Sequence, residues 1–238
     1  MNCFKTIGII GGMGPLATYD LAEKILNNTV AACDQDNIPV IIDCNTRIAD
    51  RTAAILSGGA DPVPEMKKSA KRLEEAGADF LIMACNTAHY FYDRVCEDIS
   101  IPVLHMPRLT AQHLLEMGVK KAGVLATDGT CRSGVYGDAL KEAGIEPVYP
   151  SAEKQKTIMS LIYDHVKAGV MDFSDLDIDA VISEMTEKGA DVLILGCTEL
   201  PMAFDIIGET ALMTVDPTEV LAIASVNRAG APLRGIEG

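Results

Sequence analysis

The sequence predicts an α/β protein with two similar lobes, each a parallel sheet sandwiched by helices in a flavodoxin-like manner. Residues 77–87 and 189–199 carry one shared pattern: Gly-Ala-Asp, an apolar run typical of a buried parallel strand, and then a cysteine and a threonine. In both stretches the cysteine follows the glycine by eight residues, at Cys85 and Cys197. The chain therefore presents two cysteines in the same way, at the ends of two equivalent strands.

A second pair of landmarks supports this internal duplication. Residues 6–11 and 121–127 are short apolar strands that each run into a loop of small residues. From the glycine of each strand to the following cysteine the distances are 77 and 74 residues. Because two independent spacings agree, we expect two lobes related by a pseudo-twofold axis, with the active site between them.

The length of 238 residues is enough for two self-sufficient cores. We assign residues 1–103 to the first lobe and residues 104–206 to the second. The run at 212–215 and the helix after it have no evident counterpart in the first half, so residues 207–228 are predicted to return to the first lobe. Residues 229–238, rich in Gly and Ala, are predicted to form a flexible tail.

Composition and charge argue against several classes of function. A net charge of −14 disfavours nucleic acid and anionic membranes as partners, since both are bound through excess Lys and Arg. No apolar run approaches the ~20 residues of a membrane helix, and the first strand begins at once, so a cytoplasmic location is expected. Seven cysteines without a Cys-x-x-Cys pair indicate reduced thiols. The spacing of Cys85 and His89 is a weak, isolated metal signal, and no metal is predicted.

The remaining elements alternate between strands and helices, as a parallel sheet requires. In the first half, apolar runs predict strands at 6–11, 39–44, 101–104 and ending at 85, and amphipathic periodicity predicts helices at 18–32, 65–76, from 86 onward and 108–117. In the second half, strands are predicted at 122–126, 146–149, 212–215 and ending at 197, with helices after 130 and at 156–168, 176–188 and 218–227.

The glycine loop after the first strand formally matches a dinucleotide-binding pattern through Gly12, Gly14 and Ala17. The match is weak because Pro15 is unusual there. The acidic residue expected about 20 positions on would be Asp34 or Asp36, which lie in a loop, or Asp43, which lies 31 residues past Gly12. Glycines still allow bare N–H groups at a helix start, which suits a carboxylate or phosphate. The loop is interpreted as a glycine turn with a plausible anion site.

Basic residues follow the second strand. Arg47 and Arg51 lie beyond its carboxyl end, where open α/β sheets bind ligands, and both are candidates for gripping an anion. Lys167 is predicted at a helix C-terminus, where a lysine usually complements the helix dipole. Cys85 precedes a helix start, a position that favours thiolate, and His89 one turn later is interpreted as a helix-packing residue.

Two thiols at matched strand ends suit one type of reaction. One thiolate removes a proton from one face of a tetrahedral carbon, while a thiol returns a proton to the other face. A racemase or epimerase needs this symmetry because its two substrates are mirror images at the reacting carbon. Buried thiols are common in cores, but duplication of Cys85 and Cys197 at equivalent positions favours function.

Five motifs in order resemble those of the aspartate/glutamate racemase family. They are Gly-Gly-Met-Gly-Pro at 11–15, Asp-Arg-Thr at 50–52, Cys-Asn-Thr-Ala-His at 85–89, Val-Lys-Ala-Gly at 166–169 and Gly-Cys-Thr-Glu at 196–199. The Asn-Thr-Ala-His segment fits the pattern of aspartate racemases better than that of glutamate racemases, while Glu199 leaves glutamate or a broader substrate range open. The resemblance implies interconversion of L- and D-aspartate without pyridoxal phosphate, metal or any other cofactor, in a homodimer.

The resemblance also implies roles for particular residues. Cys85 and Cys197 are the two bases, and Arg51 and Lys167 bind substrate carboxylates. The other implied substrate-binding residues hold the α-carboxylate or line the site: Met13, Gly14, Asn45, Asn86, Thr87, Thr127, Gly129, Thr130, Thr198 and Glu199. Hydrogen bonds from such residues and from loop N–H groups must stabilise the carbanionic transition state, because no cofactor serves as electron sink.

Three alternatives remain open. Another member of the same superfamily, such as a hydantoin racemase, an arylmalonate decarboxylase or a maleate isomerase, would differ in the surroundings of its cysteines or lack the grip of Arg51 with Lys167. A nucleotide-dependent oxidoreductase rests on the glycine loop alone. A two-lobed amino-acid-binding protein would share the cleft and the basic residues but has no use for paired cysteines.

Overall fold

The computed structural model describes residues 4–235, which form two compact α/β units. One unit contains the described residues up to Leu109 together with those from Thr218 onward, and the other comprises Thr110–Pro217. Each unit has its own parallel sheet flanked by helices, which confirms the predicted α/β fold with two parallel sheets.

The first unit is built on three parallel strands. They are β1 (Ile7–Gly11), β2 (Val40–Cys44) and β3 (Phe80–Met83), in the order β2-β1-β3. Ile7 is in register with Val40 on one side and with Phe80 on the other. β1 and β3 are buried along their whole length, as expected for parallel strands covered on both faces.

Helices cover both faces of this sheet. They are α1 (Pro15–Asn28), α2 (Arg51–Leu56), α3 (Val63–Glu75), α4 (Tyr92–Cys96), α5 (Met106–Glu116), within which the chain passes to the second unit, and α11 (Pro217–Ala229), with 3-10 turns at Asp34–Asp36 and Thr87–Phe91. Alternate strand residues enter opposite cores: Ile9 packs with Leu221 of α11, and Ile10 packs with Met66 of α3. α1 starts earlier than predicted because Pro15 suits the first position of a helix.

The second unit has four parallel strands. They are β4 (Lys121–Leu125), β5 (Glu146–Val148), β6 (Val192–Leu195) and β7 (Met213–Val215), in the order β5-β4-β6-β7. Its α-helices are α6 (Asp128–Ser133), α7 (Val135–Glu142), α8 (Ala152–Ser160), α9 (Ile178–Glu187) and α10 (Leu200–Ile207). The predicted helix at 156–168 is interrupted: α8 continues as a π-helical segment at Leu161–His165 and a 3-10 turn at Val166–Ala168.

The assignment of residues 207–228 to the first lobe is wrong for the strand. β7 pairs with β6, with Val192 in register with Met213, whereas α11 packs into the core of the first unit. The strand also has a counterpart that the sequence pattern obscures, because Val103 forms an isolated parallel bridge to Leu81 of β3. In both units the segment that follows a cysteine-bearing strand therefore pairs with that same strand.

The predicted flexible tail is also corrected for its described part. Leu233 forms an antiparallel bridge with Thr29, and the Arg234 N–H donates to the Asn28 carbonyl at 2.8 Å. Ala231 is buried in the core with α11. The apolar Ala231 and these backbone bonds attach the segment to the end of α1, while residues 236–238 lie outside the described part of the chain.

Across residues 4–235, every helix is too short or too polar to cross a lipid bilayer.

Candidate active site

Cys85 lies two residues beyond the carboxyl end of β3. Cys85 is 6% exposed, and a 3-10 turn at Thr87–Phe91 begins two residues later. Asn86 and Thr87, both predicted substrate contacts, are buried beside it. The structure therefore confirms the predicted position of this thiol between the end of a strand and the start of a helical segment.

His89 fixes the backbone of Cys85. Its Nε2 accepts the Met106 N–H at 3.1 Å, so Nδ1 carries the proton and donates to the Cys85 carbonyl at 2.9 Å. Burial, with the charge of His105 second, lowers the pKa of His89 to about 3. The neutral ring ties Cys85 to the start of α5, which confirms the interpretation of His89 as a packing residue.

Arg51 braces the loops near Cys85. Its Nη2 donates to the Met13 carbonyl at 3.1 Å, and its Nη1 donates to the Ala49 carbonyl at 2.9 Å. The side chains of Met13 and Ile48 share a buried cluster with Cys85. The guanidinium thus links the glycine loop to the start of α2, in the same part of the first unit as the thiol.

The glycine loop closes tightly against the residue that follows β2. Gly12 has a φ of +85°, and a Cβ there would lie 2.3 Å from the backbone carbon of Asn45. The Gly12 N–H donates to the Thr18 hydroxyl at 2.9 Å, and that hydroxyl donates to the Gly14 carbonyl at 2.8 Å. The expectation of bare N–H groups is therefore wrong at Gly12, because the hydroxyl of Thr18 in α1 already accepts the Gly12 N–H.

Two other candidates in this unit have different surroundings. The Asn45 amide donates to the Ser69 hydroxyl at 3.2 Å and to Glu65 at 3.3 Å, while its carbonyl accepts the Arg47 N–H. Asn45 therefore shapes the loop through α3. Arg47 itself is exposed.

In the second unit, Cys197 lies two residues beyond the end of β6 and belongs to a polar cluster. Its thiol donates to Glu199 Oε2 at 2.9 Å, and the Thr198 hydroxyl donates to the same oxygen at 3.1 Å. The other carboxylate oxygen of Glu199 forms a short ion pair with the Lys167 ammonium. That ammonium also lies 5.8 Å from the centre of the Tyr163 ring. Four sequence-predicted residues are thus brought together by hydrogen bonds or an ion pair.

The electrostatics of this cluster keep the thiol protonated. Burial raises the pKa of Cys197 well above its usual value, the carboxylate of Glu199 raises it further, and the Lys167 ammonium opposes both. Burial also raises the pKa of the Tyr136 phenol well above its ordinary value. Cys197 is therefore held as a thiol at neutral pH.

The loop after β4 lies at the same sheet edge as Cys197. Thr127 caps α6 by accepting the Thr130 N–H at 3.2 Å, and the two hydroxyls are 3.1 Å apart. Thr127, Gly129 and Thr130 are all buried. Because β4 and β6 are parallel neighbours, with the Gly196 N–H donating to the Leu125 carbonyl, their carboxyl ends meet at this edge.

The sequence interpretation missed the role of Glu199 as an internal partner. It treats this residue as a substrate contact, whereas the carboxylate is bound to Cys197, Thr198 and Lys167. The spacing of two residues from the cysteine was the available signal.

A cavity of about 730 Å³ opens elsewhere in the second unit, lined by residues that include Cys131, Tyr149, Gln155 and Met159. Neither Cys197 nor Lys167 lines it. Among residues 4–235, no three His, Cys, Asp or Glu side chains are grouped so that they could hold a metal ion.

Comparisons with known proteins agree on one family. A family model described as Asp/Glu/Hydantoin racemase matches residues 10–224. The solved structure of Picrophilus torridus aspartate racemase has a TM-score of 0.84 and 33% identity, covering 97% of this chain and 96% of that one. Broad specificity amino-acid racemase RacX of Bacillus subtilis (strain 168) is 30% identical over 233 residues, 93% of this chain and 96% of the relative. A glutamate racemase of Geobacter metallireducens is 30% identical over 252 residues, 97% of this chain and 83% of the relative.

Proposed function

Since the chain belongs to the Asp/Glu/Hydantoin racemase family, we propose that it interconverts L- and D-aspartate by proton transfer at the α-carbon, without pyridoxal phosphate or metal. The observation that carries this proposal is the equivalence of the two thiols. Cys85 and Cys197 each lie two residues past the end of a fully buried parallel strand, and each is 6% exposed. A binding protein has no use for such a pair, whereas a racemase needs one group for each face of its substrate.

The proposed reaction is a two-base exchange. One cysteine, as thiolate, takes the proton from the α-carbon and becomes a thiol. The other, as thiol, gives its proton to the opposite face of the resulting carbanion and becomes a thiolate. The roles exchange with the direction of the reaction, and both sulfurs must reach the same α-carbon.

The carbanion needs stabilisation that a cofactor would otherwise supply. In the proposal, Asn86, Thr87, Thr127 and Thr198, with nearby backbone N–H groups, hold the α-carboxylate and stabilise the enolate-like charge that develops there. Their burial supports this role, because hydrogen bonds to a developing charge are stronger away from water. Arg51 and Lys167 supply the positive charge that an anionic amino acid requires in a protein of net charge −14.

Aspartate is the first substrate we propose, supported by the likeness to the Picrophilus torridus enzyme over nearly the whole chain. Glutamate is the second candidate, supported by the glutamate racemase relative and by Glu199 in the motif after Cys197. The expected homodimer and cytoplasmic location stay predictions.

Proton NMR in D₂O tests the function. The protein is incubated under reducing conditions with L-aspartate or L-glutamate, with a chelator and without pyridoxal phosphate, and the product is analysed on a chiral column. Deuterium entering the α-position together with the D-enantiomer supports cofactor-free racemisation, and the faster substrate identifies the specificity. No exchange with either amino acid overturns the proposal and directs the search to hydantoins and malonates.

Three cysteine variants complete the test. Cys85→Ser and Cys197→Ser should each lower racemisation by at least about 10²-fold, the size of a typical general acid–base contribution. Cys33→Ser is the matched control, because Cys33 is an exposed free thiol of the first unit. Full activity in both active-site variants would rule out the two-base mechanism.

A further inference from the structure

The carboxylate of Glu199 is shared between the reacting thiol and the substrate-binding lysine. One oxygen accepts the Cys197 thiol at 2.9 Å, and the other pairs with Lys167. The side chain of Glu199 is 10% exposed and that of Lys167 is 28% exposed, so this is a partly buried ion pair. Glu199 thus contacts both Lys167 and Cys197.

This arrangement sets a condition on substrate binding. An ammonium that already neutralises a neighbouring carboxylate attracts a second carboxylate less strongly. A substrate carboxylate that binds Lys167 therefore competes with the ion pair made by Glu199. The α-carboxylate has its own proposed donors in Asn86, Thr87, Thr127 and Thr198. Arg51 and Lys167 are then the cations left for the side-chain carboxylate, and of these Lys167 belongs to the cluster around Cys197.

We propose that Glu199 is a positioning and specificity-determining residue that yields Lys167 to the side-chain carboxylate of a dicarboxylic amino acid and then binds the thiol of Cys197 more strongly. The inference rests on the proposed function. It assigns to Glu199 a role within the protein, in place of the direct substrate contact that the sequence suggests.

The coupling follows from charge. While Lys167 is paired with Glu199, the ammonium withdraws electron density from the oxygens that accept the thiol. Once a substrate carboxylate takes Lys167, the charge on Glu199 is no longer neutralised, and its hydrogen bond from Cys197 strengthens. Binding of a substrate side-chain carboxylate at Lys167 thereby changes the hydrogen bond of the Cys197 thiol. An amino acid without a side-chain carboxylate leaves the pair of Lys167 and Glu199 intact.

Calorimetry with two ligands tests the exchange at Lys167. Succinate carries two carboxylates, and butyrate has the same number of carbons with only one. Glu199→Gln removes the internal competitor, so succinate should bind about fivefold more tightly while butyrate affinity stays the same. The control is Glu146→Gln, because Glu146 pairs with Lys121 at 3.0 Å on the surface of the same unit. Unchanged, weaker or absent succinate binding in Glu199→Gln overturns the proposal.

Infrared difference spectroscopy tests the coupling to Cys197. The S–H stretching band of this thiol is identified by its loss in Cys197→Ser. Succinate should shift the band to lower frequency in the wild-type protein, because the hydrogen bond strengthens, and should not shift it in Glu199→Gln. A band that stays in place when succinate is bound contradicts the coupling.

Kinetics separate positioning from a merely structural role. Glu199→Gln should lower both KM and kcat for aspartate, since Lys167 is released for substrate while the thiol loses its partner. A structural defect would instead raise KM. If the wild-type protein racemises aspartate but Glu199→Gln binds succinate with unaltered affinity, the role of Glu199 is refuted and the proposed function stands. If Glu199→Gln binds succinate more tightly but the wild-type protein does not racemise aspartate, the proposed function is refuted. The exchange of carboxylates at Lys167 is then still supported.

Discussion

The backbone carbonyl of Cys85 is held by the imidazole of His89 at 2.9 Å, four residues further along the chain. The ring is 3% exposed, and its second nitrogen accepts the Met106 N–H. A buried histidine that satisfies one donor and one acceptor in this way fixes the backbone that carries the thiol. The hydrogen bonds of Nδ1 and Nε2 can be removed separately by substitution of His89.

His89→Asn and His89→Gln should affect stability and activity differently. Asn places a polar group near the position of Nδ1 and keeps the bond to Cys85, whereas Gln reaches toward Met106 and loses it. Each variant leaves one buried backbone group unsatisfied, at a cost of about 1–3 kcal/mol in the free energy of unfolding. We expect Asn to retain more racemisation than Gln, measured at temperatures where both are folded. Equal losses of activity would show that the hold on Cys85 does not matter for turnover.

The lowered pKa values of His89 and His105 predict acid sensitivity. Burial lowers the pKa of His89 to about 3 and that of His105 to about 4, against about 6.5 in the unfolded chain. Between these values the unfolded state binds more protons, so stability is complete above about pH 6.5 and falls as the pH drops toward 3. For the buried His89, each pH unit in that window removes up to about 1.4 kcal/mol from the free energy of unfolding.

Urea unfolding from pH 7 to pH 4 checks this, with His89→Asn as the comparison. The variant should lose part of the slope of stability against pH. His113→Asn is the control, because His113 is a half-buried histidine of α5 whose imidazole takes no part in the bonds around Cys85. A wild-type slope in His89→Asn would contradict the assignment of the acid sensitivity to His89.

The local signals in the sequence predicted most of the strands of both sheets and the position of each thiol after a strand. Buried parallel strands are nearly continuous apolar runs, and cysteines at their ends are visible without any tertiary information. The sheet to which β7 belongs could not be predicted, because a three-residue strand such as Met213–Val215 has no sequence feature that identifies its neighbouring strand. Which sheet it joins is decided by tertiary packing beside β6.

The site shows the same division. Residue types, spacing and the family resemblance predicted which side chains belong to the site, but they could not show which of those side chains bind one another. Lys167 and Glu199 are 32 residues apart, and the π-helical segment at Leu161–His165 re-aims the chain before Lys167. An uninterrupted helix at 156–168, as the periodicity suggests, would not predict that contact.

Alkylation rates should report the charges around Cys197. Two charged groups act on this thiol in opposite directions: Glu199 disfavours the thiolate, and Lys167 favours it. Iodoacetamide at neutral pH should therefore modify exposed Cys33 well before Cys197. Glu199→Gln should lower the pKa of Cys197 and speed its modification, and Lys167→Gln should slow it. Peptide mass spectrometry over a pH series measures each rate, and opposite signs would contradict the electrostatic account.

Gly12 should be nearly irreplaceable for a backbone reason. Gly12 and Gly58 both have positive φ, at +85° and +67°, but only at Gly12 would a Cβ meet backbone, 2.3 Å from Asn45. Gly58→Ala should cost about 1–2 kcal/mol for the left-handed conformation alone. Gly12→Ala adds a clash with main-chain atoms that cannot rotate away, so we expect a larger loss or failure to fold. Thermal melts of the two variants, compared directly, check this, and equal melting temperatures would refute the clash.

Arg51 and Arg47 follow the same strand but should differ sharply in their effect on activity. The Arg51 guanidinium bridges the carbonyls of Met13 and Ala49, a geometry that needs its planar fork, whereas Arg47 is exposed. Arg51→Lys keeps the charge but cannot make both bonds, so the glycine loop loses its brace near Cys85. We expect kcat/KM for aspartate to fall by at least about 10²-fold, since small displacements of positioned groups have effects of that size. Arg47→Lys should stay within about twofold, as usual for surface changes of about 0.5 kcal/mol. Comparable losses in the two variants would mean that Arg47, and not the brace alone, helps to hold the anionic substrate.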